Sequence, residues 1–78
     1  MSITLRRVDA EKNVSRFYRL DVQPDLFGQW SLLREWGRIG SPGTLLVQPF
    51  PTQAEADAAC VRLCRLKERK GYQTHEGH

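Results

Sequence analysis

Gln29-Trp30-Ser31-Leu32-Leu33-Arg34-Glu35-Trp36-Gly37-Arg38 is the stretch that decides the fold. Read with a period of two, it puts Trp30, Leu32, Arg34, Trp36 and Arg38 on one face and Ser31, Leu33, Glu35 and Gly37 on the other. Large apolar groups gather on the first face, which predicts a half-buried strand. Just before it, Pro24-Asp25-Leu26-Phe27-Gly28 carries turn chemistry, with proline fixing φ and glycine free to take a positive φ. Upstream of that turn, Ser15 to Gln23 alternates as well. Tyr18, Leu20 and Val22 face one way, and Arg16, Phe17 and Asp21, less tidily, the other. Two alternating stretches around a short turn predict an antiparallel hairpin.

Working outward, Ile3 to Val8 is short and β-prone and reads as a first strand, joined to the hairpin by the polar Asp9–Asn13. Downstream, Gly40-Ser41-Pro42-Gly43 turns the chain. It lacks the Lys-Ser/Thr of a phosphate-binding P-loop, so it is read as a turn alone. Thr44 to Gln48 is a further strand, stopped by Pro49 and Pro51. Thr52 is then an N-cap, with Glu55 three residues later completing a capping-box pattern, and good helix formers run from Gln53 to Lys70. At 100° per residue Ala56, Ala59, Cys60, Leu63 and Leu66 share a stripe centred near Leu63. Gly71 sits where a C′ glycine ends a helix. The expected fold class is therefore α+β: a small twisted antiparallel sheet of about four strands with one helix packed on one face. Residues 1–72 are expected to form a single domain and 73–78 a flexible tail.

Seventy-eight residues suffice for one sheet and one covering helix but leave little room for a deep substrate cleft. With 40% apolar and 27% charged residues, the composition is that of a folded domain. Net charge is +3, a mild basic bias that suits a phosphate-bearing partner. The chain has no apolar stretch of membrane-spanning length and no signal-peptide pattern at Met1–Arg7, so a cytoplasmic protein is expected. Cys60 and Cys64, four apart on a helix, are poorly placed for a strain-free disulfide. Together with His75 and His78 they make a two-and-two count that suggests zinc, but a helical stripe and a tail are the wrong setting. Both cysteines are read as small core residues, and neither a metal nor a cofactor is expected. The chain shows no nucleophile beside a base and no carboxylate pair with a reason to be buried, which argues against an enzyme.

Charge placement is more telling than charge sum. Lys67 and Lys70 lie on or beside the apolar stripe, so their stems can run along the sheet while the ammonium groups emerge past the core edge. Such a pair complements the helix dipole in the last turn, or else forms a phosphate site.

Arg16-Phe17-Tyr18-Arg19-Leu20, then Trp30, then Glu35-Trp36-Gly37-Arg38-Ile39-Gly40 resemble the WGR domain family, and the continuation agrees: Gly43, Phe50, Ala56, Lys67 and Gly71-Tyr72. The resemblance covers about Val8 to Tyr72. It implies a twisted antiparallel sheet with one helix across it. In eukaryotes the domain occurs in poly(ADP-ribose) polymerases, where it contacts DNA breaks near a 5′-terminal phosphate. In bacteria it occurs alone or in larger proteins. No polymerase domain is present here, so that activity does not carry over. What the resemblance does carry over is a nucleic-acid-binding set: Trp36, Gly37 and Arg38 from the tripeptide, Asn13 from the preceding loop, and Lys67 and Tyr72 from the ending, to which the charge pattern adds Lys70.

Each position also has a plainer reading. Trp36 fits a core position on the same strand face as Trp30, itself assigned to the core. Gly37 fits a strand twist or bulge. Arg38 fits an ion pair with Glu35 or Asp21. Two functions stay open: a monomeric module binding DNA ends or nicks, near the nucleoid within the cytoplasm, or a regulatory domain offering the same aromatic-basic surface to an acidic protein.

Overall fold

The predicted hairpin lies at the heart of the sheet. The computed structural model describes residues 1–75, in the order β1 (Ser2–Asp9), β2 (Val14–Pro24), β3 (Trp30–Arg38), β4 (Thr44–Phe50), α1 (Gln53–Arg69) and β5 (Gln73–His75). The sheet order is β4-β3-β2-β1-β5, and every neighbouring pair is antiparallel. The β2–β3 turn is held by Asp25, whose carboxylate accepts from the backbone N–H groups of Phe27 at 2.8 Å and Gln29 at 2.9 Å, while Gly28 takes φ +79°. A side-chain acceptor and a glycine in the left-handed region are what a tight reversal needs.

The core joins Leu5, Tyr18, Leu20, Val22 and Leu32 of the sheet to Ala56, Ala59 and Cys60 of the helix. Three small residues in the N-terminal half of the helix face let its axis lie close to the sheet. The buried stripe is therefore centred nearer Cys60 than Leu63: Leu63 is half-buried and Leu66 exposed. Beneath the last turns lie the rings of Tyr18 in β2 and of Tyr72, just before β5, and Lys67 reaches over both.

Both helix ends follow their local chemistry. Thr52 Oγ1 accepts from Glu55 N–H at 3.2 Å. At the other end Gly71 takes φ +94°, its N–H donates to Glu68 C=O at 3.1 Å, and Tyr72 N–H donates to Lys67 C=O at 3.1 Å. These are the two bonds of a Schellman motif, which satisfies carbonyls a helix end would leave open.

That reversal corrects the strand count. Gln73–His75, expected as part of a flexible tail, pair with β1 as a fifth strand, Leu5 opposite Thr74. The physical reason is non-local: β1 would otherwise be an edge with unpaired backbone groups, and Gly71 aims the chain along it. The rest of the expected tail, Glu76–His78, lies outside the described residues, and with it His78 of the considered zinc set. Cys60 and Cys64 are free thiols. Burial pushes both pKa values up, aided for Cys60 by nearby Cys64 and for Cys64 by a hydrogen bond to Glu68. Among the described residues no helix is long and apolar enough to cross a membrane.

Candidate nucleic-acid interface

Strand register builds the site. Tyr18 of β2 stands opposite Trp36 of β3, and their rings stack with centroids 5.8 Å apart and planes 14° from parallel. Tyr18 is buried, and its hydroxyl accepts from Arg34 Nε at 2.9 Å. Two residues before Trp36, Arg34 shares its face, and its guanidinium lies 5.8 Å from the indole centroid. From above, Lys67 brings its ammonium to 4.4 Å from the Tyr18 ring and 5.6 Å from that of Tyr72. Tyr72, positioned by the Gly71 reversal, meets Tyr18 edge-on at 6.4 Å. Two cations and three rings thus share the point where the helix end meets the sheet, at distances where ring and cation attract.

One step further along the strands, register aligns Arg7, Arg16 and Arg38 across β1, β2 and β3. Two-residue alternation from Leu5, Tyr18 and Trp36 puts all three on the helix-side face. This corrects the expectation that Arg16 faces away from Tyr18. Arg7 reaches under the helix end, its Nε 3.4 Å from where a Cβ on Gly71 would sit. Arg16 and Arg38 line an open concavity of about 490 Å³ together with Lys12, Asn13 and Gly37. Asn13 belongs to the β1–β2 turn, where it adopts φ +52°, a conformation asparagine tolerates better than most residues.

The expected set therefore falls into two adjoining groups. Trp36, Lys67 and Tyr72 meet around Tyr18, and Asn13, Gly37 and Arg38 meet in the concavity. Lys70, the helix C-cap, stays exposed beside the first group. The Lys67 pKa is lowered, chiefly by desolvation and then by the like charges of Lys70 and Arg34. The ion pair considered for Arg38 does not form. Glu35 lies on the opposite face and pairs with Arg19 at 3.3 Å, and the Asp21 carboxylate accepts from Gln23 at 2.7 Å. Among the described residues, Arg19–Glu35 is the one ion pair, so Arg7, Arg16, Arg34, Arg38 and Lys67 share the helix-side face with no carboxylate paired to them.

Gly37 serves packing. A Cβ there would come within 3.1 Å of Gly43 Cα and 3.4 Å of Phe17 Cε1, on the face away from the helix. Trp30 and Trp36 are both half-buried at the border of the core. Sequence reasoning placed Tyr18 and Arg34 on the right face without assigning them to the site. The available signal was an arginine between Leu32 and Trp36 on an otherwise apolar strand face.

Comparison with known proteins bears on the family of the chain. A family model described as WGR domain matches residues 1–78. The chain is 38% identical over 68 residues to an uncharacterized protein, y4dW, of Sinorhizobium fredii; the match covers 87% of this chain and 33% of that protein. The chain thus spans about a third of that relative's length. No solved structure matches. With the family model running the length of the chain and the Trp36-Gly37-Arg38 tripeptide at the head of its ring-and-cation cluster, the chain belongs to the WGR domain family.

Proposed function

We propose that the helix-side face binds nucleic acid, engaging DNA ends or nicks through phosphate contacts and stacking, as a binding module without catalysis of its own. The observation that carries this reading is a helix-side face on which Arg34 and Lys67 meet the ring cluster and Arg7, Arg16 and Arg38 stand in a row beside it, none of the five in an ion pair among the described residues. Gathering like charges costs electrostatic energy, and here desolvation adds to the cost at Lys67. An anion seated between them removes that cost. A terminal phosphate carries more charge than a bridging one and is the better fit. The half-buried Trp36 leaves part of its indole to meet a terminal sugar or base, a contact indifferent to sequence. Arg38, two residues along the same face and so about 7 Å away, offers its planar fork to the phosphate.

The test is a binding comparison of 5′-phosphorylated nicked, blunt and single-stranded oligonucleotides over a series of salt concentrations. Preference for the phosphorylated nick or end, with affinity falling linearly in a log–log plot against salt, is the expected result. Absence of binding to every oligonucleotide would hand the surface to an acidic protein partner instead.

A further inference from the structure

We infer that the outer edge of β4 pairs with β4 of a second copy of this chain, joining two sheets into one across a two-fold axis. β4 ends the sheet, and its seven residues, Thr44-Leu45-Leu46-Val47-Gln48-Pro49-Phe50, carry no charge. Leu45, Leu46 and Val47 are 53%, 44% and 52% exposed. Edge strands are ordinarily guarded by charge, brevity or cover, because their free N–H and C=O groups recruit other strands. Of these guards β4 has only Pro49.

The ladder shows which groups are free. Ile39 N–H donates to Ser15 C=O, continuing the β2–β3 ladder, so odd-numbered residues of β3 bond to β2 and even-numbered ones bond to β4. The β4 partners of Trp36, Arg34 and Leu32 are Thr44, Leu46 and Gln48. The backbone groups of Leu45 and Val47 therefore point outward, as does the nitrogen of Pro49, where a proline is tolerated in a sheet.

Antiparallel pairing with Leu46 on the axis sets Leu45 against Val47 of the second copy, and Val47 against its Leu45. Both outward N–H and C=O pairs are then satisfied, Leu46 meets its own counterpart on the helix side, and Leu45 meets Val47 on the other. A shift of register by two residues in one direction would set Pro49 against Leu45, which needs its missing N–H, and in the other would set Val47 against Gly43, outside the strand. The strand is thus self-complementary in backbone, side chain and charge, as an interface across a two-fold requires. Net charge +3 opposes the approach of two copies, and the β4 edge carries none of that charge. One strand pair covers less than the ~1,200 Å² of a stable interface, so the dimer is weak and concentration-dependent. The axis stands perpendicular to the sheet, which puts both helices, and both faces proposed above for nucleic acid, on one side.

Sedimentation equilibrium from micromolar to millimolar protein tests this without DNA. The average mass is expected to climb from the 9.0 kDa of one chain toward twice that value. In Val47→Lys, a change at a half-exposed site, it should stay at one chain. The wild type alone supplies an independent readout: amide exchange at Leu45 and Val47 should slow as concentration rises, while that at the exposed turn residue Phe27 should not. A mass fixed at one chain at all concentrations, or exchange at Leu45 and Val47 indifferent to concentration, overturns the inference. Binding of Val47→Lys to phosphorylated DNA ends should match the wild type at low protein concentration. Loss of self-association with DNA binding intact therefore separates this inference from the proposed function.

Discussion

Replacing Lys67 by methionine separates holding the fold from binding a phosphate, because the stem stays and the charge goes. In the fold the ammonium gains two ring contacts, at 4.4 and 5.6 Å. Each is worth about 0.5–1 kcal/mol at a site open to water. Against this stand desolvation and the repulsion of Lys70 and Arg34, the causes that lower its pKa. These effects oppose one another, and a methionine on the same rings recovers part of the contact. Stability should therefore change by no more than about 1 kcal/mol, a shift of at most ~4–8 °C in the melting temperature of a domain this size. Binding to a 5′-phosphorylated end should weaken by the ~1.5–3 kcal/mol of a hydrogen bond to a charged group, roughly 10- to 150-fold. The pH dependence has a definite sign. A lysine whose folded pKa is lowered penalises folding while protonated, so the wild type should gain stability on Lys67→Met as pH rises through the window below 10.5. Thermal melts and fluorescence anisotropy on the same samples measure both effects. A variant that loses more than about 2 kcal/mol of stability, or that binds the end as the wild type does, refutes this division of roles.

Further outcomes follow from named contacts. Gly43→Ala should destabilise by about 1–3 kcal/mol in a denaturant titration, because its Cβ would lie 2.7 Å from Trp36 C=O and 2.8 Å from Phe17 Cζ; unchanged stability would mean that β3 and the Gly43 turn are farther apart than described. Cys60→Asp should unfold the domain by placing a carboxylate in the core, whereas Leu66→Asp, on the exposed side of the same helix, should melt within about 0.5 kcal/mol of the wild type. Neither thiol should react readily with a disulfide reagent at neutral pH, since burial raises both pKa values, and Cys60 should become reactive only on unfolding.

What could be read in the sequence was whatever local chemistry determines. Alternation around Gly28 yields the hairpin, and Thr52 and Gly71 mark the helix ends within a residue of where they fall. The fifth strand could not be read this way, because three polar residues after Tyr72 acquire their structure from the open edge of β1, far back in the chain, where Leu5 stands opposite Thr74. The stripe centre slipped from Cys60 to Leu63 for a related reason: helical periodicity counts apolar side chains but does not know that Tyr18 and Tyr72 lie beneath the last turns. At the site, the family resemblance supplied Trp36, Arg38, Lys67, Tyr72 and Asn13. The partners that organise them, Tyr18 beneath Trp36 and Arg16 beside Arg38, depend on the register of β2 against β3. Gly37, carried over with the tripeptide, owes its missing side chain to the close approach of Gly43 and Phe17, which no local pattern reveals.

The central claim is that the cations of the helix-side face are arranged for a terminal phosphate. Arg38 is its most direct probe, being exposed, on that face, and free of any carboxylate among the described residues. The decisive measurement is the affinity of the wild type and of Arg38→Ala for one nicked oligonucleotide carrying either a 5′ phosphate or a 5′ hydroxyl, with melts confirming that both proteins are folded. Arg38→Ala is expected to cost about 1.5–3 kcal/mol with the phosphate and clearly less with the hydroxyl, because the charge it would have met is gone. A folded Arg38→Ala that binds both oligonucleotides as the wild type does would contradict it.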